Sequence, residues 1–136
     1  MGAGRMTAQA LESVGAVARS WEAACQSGDT DRIVAHLCDD AVVWYNFNPQ
    51  AQHTKGAYRA MLETSRTGLP NRRYKDRRVH LHPGGFVEQA TLEGETPGGP
   101  VETPFLLIAT VEGGRITRIA QYFDTTIMHK AGLVPV

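Results

Sequence analysis

The stretch Arg72–Asp124, RRYKDRRVHLHPGGFVEQATLEGETPGGPVETPFLLIATVEGGRITRIAQYFD, decides the fold. Three breaks divide it: Pro83-Gly84-Gly85, the loop from Glu95 to Pro100, and Glu112-Gly113-Gly114. Between them lie Arg72–His82, Phe86–Gly94, Val101–Val111 and Arg115–Asp124, whose β-branched and aromatic residues read as strands. Short Gly-containing turns between consecutive strands predict an antiparallel meander, because a parallel pair needs a long crossover. Charge agrees with that pairing. Arg72, Arg73, Lys75, Arg77 and Arg78 face only Asp76 on their own segment, whereas Phe86–Glu112 holds Glu88, Glu93, Glu95, Glu102 and Glu112 with no Lys or Arg. Neighbouring strands set such charges opposite each other. The basic run read instead as a phosphate or nucleic-acid patch is weak, since one acid-interrupted cluster sits in a chain of net charge zero.

Upstream, the period changes from two to three and four. Leu11, Val14, Ala18, Trp21 and Cys25 share one face of a helix from about Ala8 to Ser27. Gly28 suits the left-handed position that ends it. Asp29 or Thr30 can cap a short second helix running through Leu37. Asp39-Asp40 reads as a turn, Ala41–Phe47 as a strand, and a third helix follows Gly56 with Tyr58, Met61 and Leu62 on one side. Helices followed by a meander make an α+β layout with the helices on one sheet face.

At 136 residues the chain is one domain, with a core over about 8–126 and a tail at 127–136. Its 42% hydrophobic and 21% charged content excludes disorder as the ground state. No apolar run approaches the ~20 residues of a spanning helix, and no signal peptide is readable, so neither membrane nor nucleic acid is expected as a partner. Cys25 and Cys38 lack any metal or redox spacing and read as core thiols, consistent with a cytoplasmic location.

The strings SWEAACQSGDTDRIVAHLCDDAVVW, GGFVEQATLEG and GGRITRIAQYFD resemble the nuclear transport factor 2-like superfamily. Within it, the chain is most similar to SnoaL-like polyketide cyclases, ketosteroid isomerases and limonene epoxide hydrolases. The resemblance covers about residues 8–126. It implies a cone-shaped α+β barrel, with three N-terminal helices against a strongly curved, mainly antiparallel sheet. It also implies a deep apolar pocket and a homodimer through the outer sheet face. Carried over residue by residue, the isomerase's shuttling Asp falls on Tyr45, its oxyanion-hole Tyr on Trp21 and its protonated Asp near Leu106. All three departures remove that chemistry. The hydrolase's Asp-Arg-Asp set falls on Glu93, Thr91 and Gln121, so one carboxylate survives. Its Tyr and Asn fall on Val43 and Tyr45, or on Trp44 and Asn46 with one insertion.

With that register, alternation turns Gln89, Thr91, Glu93 and Gln121 inward, together with Leu106, Ile108, Ile119 and Phe123. Glu93 is then the expected proton carrier, with Gln121, Tyr45 or Asn46 positioning oxygen and His53 near the pocket mouth. Trp21, Trp44 and Met61 are expected walls. A slip of one residue would instead put Glu93 on the outer face, against the basic strand. His80 and His82 share a strand face, but nothing in sequence completes a metal set, and the reading calls for no metal and no cofactor. The expected function is acid–base work on a hydrophobic oxygenated small molecule. The alternative is a non-catalytic ligand-binding or dimeric interaction protein of the same fold.

Overall fold

The structure, a computed structural model, describes residues 2–130. Its order is α1 (Gly2–Ser27), α2 (Thr30–Val34), β1 (Leu37–Tyr45), α3 (Lys55–Gly68), β2 (Arg73–His82), β3 (Gly85–Thr96), β4 (Gly99–Glu112), β5 (Arg115–Tyr122) and α4 (Thr125–Lys130). The helix ends follow from local chemistry. Gly28 at φ 70° closes α1, Asp29 accepts the Arg32 N–H at the start of α2, and Thr54 accepts the Ala57 N–H at the start of α3. Helix α2 stops at Val34, short of Leu37, and β1 begins at Leu37, so Asp39 and Asp40 lie within a strand whose register shifts between Leu37 and Val42.

The five strands lie in the order β1-β5-β4-β3-β2. Strands β2 to β5 form the expected antiparallel meander, and β1 joins alongside β5 in parallel. Edges β1 and β2 do not meet, so the α+β fold carries an open mixed sheet rather than a closed barrel. Helix α1 lays Val14, Val17, Ala18, Trp21 and Ala24 against the sheet, where Phe86, Leu107, Ile116 and Ile119 are buried. Gly85 allows the entry into β3: at φ 156° its Cα lies so near β4 that a side chain there would overlap the carbonyl oxygen of Ala109.

Two features of the sheet decide which side chains face the helices. In β3, Phe86, Glu88, Ala90 and Leu92 point inward, opposite Ala109, Leu107, Phe105 and Thr103 of β4. In β2, one extra residue between Lys75 and Arg78 makes a bulge, with Asp76 at φ 54°. Asp tolerates that left-handed backbone better than most residues. The bulge resets the alternation, so Tyr74 and Arg77, three residues apart, both face the interior, while Lys75 and Arg78 face out.

The inward set expected for β3 and β4 is therefore corrected by one residue. Gln89, Thr91 and Glu93 lie on the outer face, as do Leu106 and Ile108. Glu93 meets Arg73 at 2.9 Å and Lys75 at 3.1 Å, and Lys75 reaches on to Glu102 at 3.0 Å. This is the cross-strand charge pairing read from the sequence. These cations hold the Glu93 carboxyl below the usual carboxylate range, the Lys75 hydrogen bond foremost, which makes it a poor proton acceptor.

Candidate functional site

Between sheet and helices lies a cavity of about 240 Å³. It is lined from all five strands or their ends and from α1 and α3. Most of its wall is aromatic. Phe105 stacks on Phe123 with ring centres 5.5 Å apart, Tyr45 stacks on Phe47 at 4.7 Å, and Tyr74 tilts onto Phe105 at 5.3 Å. Burial lifts the phenols of Tyr45, Tyr58 and Tyr74, Tyr74 to about 12, and it lifts the Cys25 thiol to about 12. At neutral pH these groups stay protonated and neutral, so they can share hydrogen bonds with a ligand but offer no anionic base.

One carboxylate breaks this apolar lining. The Glu88 side chain is 3% exposed and is held by Arg77, itself 9% exposed, through a contact from Nη2 to Oε1. Arg77 Nε also lies 3.4 Å from Glu22, whose side chain is 43% exposed, and its guanidinium carbon sits 5.5 Å from the centre of the Tyr74 ring. Desolvation raises the Glu88 carboxyl above its ordinary value of 4.5 despite the opposing pull of Arg77. Arg77 Nε and Nη1 and Trp21 Nε1 are buried donors with no hydrogen-bond partner among the described residues. Arg77 Nε still has the Glu22 carboxylate at 3.4 Å, but Nη1 and Trp21 Nε1 each cost about 1–3 kcal/mol unless something in the cavity accepts from them.

Register places the polar groups in a row. Glu88 pairs with Leu107, Leu107 with Gln121, and Gln121 with Tyr45. At about 4.8 Å per strand, the Glu88 and Gln121 backbones stand about 10 Å apart, with Leu107 between them on the same inner face.

Of the residues singled out in the sequence, Gln121, Tyr45, Trp21, Met61 and Phe123 line this cavity. Ile119 is fully buried in the core beside it. Asn46 braces the wall instead: it accepts from the Phe123 N–H at 2.9 Å and donates to the Phe123 carbonyl at 2.8 Å, fixing the end of β5 against β1. His53 is bonded through its backbone to Val43, with its ring edge-on to Tyr45 at 5.7 Å. Trp44 turns outward, donating to the Pro49 carbonyl and lying beside Tyr122. By sequence, the tail's apolar residues suit either covering the pocket or packing on a partner chain; Ile127 of α4 lines the cavity, whereas Leu133 and Val134 lie outside the described residues. Among the described residues, no three His, Cys, Asp or Glu side chains gather as a metal site, and no helix is long and apolar enough to cross a membrane.

Sequence reasoning missed Glu88, Arg77, Arg72, Tyr74, Phe105 and Leu107. One signal was available for β3. Its set Phe86, Glu88, Ala90, Leu92 is more apolar than Val87, Gln89, Thr91, Glu93, and the more apolar set belongs inside.

Residues 17–119 match the model of the SnoaL-like domain. The chain belongs to this family. Solved structures agree on the SnoaL-like, NTF2-type fold. A protein of Xanthomonas campestris assigned as a polyketide cyclase is 16% identical, with a TM-score of 0.76 over 90% of this chain and 98% of that one. The BvnE pinacolase of Penicillium brevicompactum is 14% identical, with a TM-score of 0.77 over 90% of each chain. An NTF2-like protein of Burkholderia xenovorans is 16% identical, with a TM-score of 0.71 over 89% of this chain and 96% of that one. No curated protein matches the chain in sequence. At such identities the SnoaL-like relatives share the architecture, and the chemistry has to be argued from the cavity.

Proposed function

We propose that this SnoaL-like chain is an acid–base enzyme acting on a hydrophobic, oxygenated small molecule such as a polyketide, terpene or steroid. Glu88 carries the proton, Arg77 orients its carboxylate, and the Gln121 amide and the Trp21 N–H meet a substrate oxygen. The single observation behind this reading is a buried carboxylate in an aromatic cavity, flanked by Arg77 Nη1 and Trp21 Nε1, donors with no hydrogen-bond partner among the described residues. In an isomerisation, Glu88 would take a proton from the carbon next to a carbonyl, and the electron pair would move to the carbonyl oxygen. Trp21 and Gln121 would stabilise that oxyanion until Glu88 returned the proton at a second carbon. The raised Glu88 pKa favours this cycle, since a base is most useful when its pKa lies near the working pH. The names of the cyclase and pinacolase relatives support the substrate class.

The same proposal includes a homodimer through the outer sheet face, where Ile108 and Tyr122 are 37% and 39% exposed beside Leu106 and Trp44. The catalytic reading is tested with a β,γ-unsaturated ketosteroid, an aryl epoxide and an anthraquinone ester, first by thermal shift and then by turnover. Glu88→Gln is expected to keep the ligand-induced shift and to lose turnover by about a hundredfold or more. Full turnover in Glu88→Gln would remove Glu88 from the chemistry. Binding without turnover in the unmodified chain would favour the non-catalytic reading, in which Arg77 and Glu88 only complete the cavity wall.

A further inference from the structure

The cavity holds a second guanidinium that nothing above has used. Arg72 lies in the turn between α3 and β2, directly after Asn71 at φ 58°, and its side chain lines the cavity. Its Nη1 donates to Ser65 Oγ of α3, and that hydroxyl in turn donates to the Leu62 carbonyl at 3.0 Å, so the guanidinium is pinned from below. Four nearby cations are paired: Arg66 with Glu63, Arg73 and Lys75 with Glu93, Arg77 with Glu88. Arg72 has no carboxylate partner among the described residues. Among the residues lining the cavity, only Arg72, Arg77 and Glu88 carry charge, and Glu88 is held by Arg77. One positive charge is left without a counterion beside an aromatic wall. Its reach is visible in the surrounding groups, since Cys25, Tyr45, Tyr58 and Tyr74 are all pulled down by the Arg72 charge against the larger effect of burial.

We propose that Arg72 is the anchor for a carboxylate on the ligand, so that the cavity takes an apolar acid, with its hydrocarbon body against the aromatic wall and its acid group on the guanidinium. The inference rests on the pocket reading above and sharpens its substrate class. A planar carboxylate matches the planar fork of a guanidinium, one edge of which is already committed to Ser65. A phosphate dianion carries twice the charge of a carboxylate, and Arg72 is the one cation in the cavity lining without a carboxylate partner. Arg72 and Arg77 are separated by five residues and one bulge, or on the order of 13–16 Å of strand. The acid group is thus held at one end of the cavity while the proton carrier acts at the other.

The test compares three probes by calorimetric titration: naphthoate, its uncharged amide naphthamide, and naphthyl phosphate. In the unmodified chain, naphthoate is expected to bind at least about tenfold tighter than naphthamide. In Arg72→Gln, that preference is expected to vanish, the loss falling mainly on naphthoate. Arg72→Lys is expected to keep part of it, as a point charge without the fork. Thermal midpoints show whether each variant is folded, and the acid–amide comparison in the unmodified chain stands whatever happens to the variants. Naphthamide binding with no preference for the acid would overturn the anchor and leave the pocket intact. So would a full preference surviving in Arg72→Gln. Tighter binding of naphthyl phosphate than naphthoate would overturn the carboxylate class. Failure of all three probes to bind would overturn the pocket reading, and the anchor with it.

Discussion

Replacing Arg77 by Met tests the centre of the cavity most sharply. The substitution keeps a long apolar stem but removes the cation from a carboxylate that is 3% exposed. Solvent cannot take over its role, so no discount for screening applies, and breaking one side of such a buried pair costs about 3–5 kcal/mol. For a chain of this size that corresponds to a fall of about 10–15 °C in midpoint temperature, or about 2 M in urea midpoint. The pH dependence carries the diagnostic sign. Burial holds the folded-state Glu88 pKa above 4.5, so its favourable contribution is full below that value and fades as pH rises through the folded pKa. Without Arg77 that pKa climbs further. The variant should therefore lie closest to the unmodified protein in acid and fall away as pH rises toward neutrality. The double variant Arg77→Met with Glu88→Leu removes both charges and should return to within about 1 kcal/mol of the parent, with the slope gone. Urea unfolding of the three proteins at several pH values from acid to neutral makes the measurement. A single-variant cost below about 1 kcal/mol, or a cost that does not change with pH, would refute the claim that Glu88 is a desolvated carboxylate held by Arg77.

Two further outcomes are expected. Ile108→Glu combined with Tyr122→Glu should convert a dimer to a monomer in size-exclusion chromatography with light scattering while leaving the helical circular dichroism unchanged; a monomeric parent at micromolar concentration would refute the outer-face interface. Gly85→Ala should cost about 3 kcal/mol or more in chemical denaturation, because its Cβ would overlap the Ala109 carbonyl at a φ that side chains avoid; a loss under about 1 kcal/mol would show that β3 can retreat from β4 there.

Much of the architecture is legible in the chain. Gly85, Gly113 and Gly114 mark chain reversals because few other residues adopt the positive-φ backbone found there, and so β2 to β5 follow as consecutive hairpins. The spacing of Val14, Ala18 and Trp21 identifies the buried side of α1, since only a 3.6-residue period brings them together. Trp21 and Met61 reach the cavity from the helical faces that spacing in α1 and α3 marks, and Gln121 and Phe123 share a face of β5 by alternation, whereas the inward register of Gln121 and the place of Tyr45 in β1 are expected only from the family resemblance.

The sequence by itself determined the long first helix, the third helix, the four-strand meander with its turns and the opposition of basic and acidic strands, but not the start of β1 at Leu37 or the short helix α4. Only the tertiary structure decided which side of β2 and β4 became the inside, while β3 carried a signal in its more apolar set. In β4, Phe105, Leu107 and Ala109 compete with Leu106 and Ile108, two apolar sets between which hydrophobicity alone chooses poorly. In β2 the bulge at Asp76 breaks the two-residue period on which any face assignment depends, and it is this break that turns Arg77 toward Glu88. Alternation propagates a face along a strand, but pairing and bulges set its phase, and those are properties of the assembled sheet. A one-residue change of phase separates an exposed Glu93 paired with lysine and arginine from a buried Glu88 at the heart of the cavity.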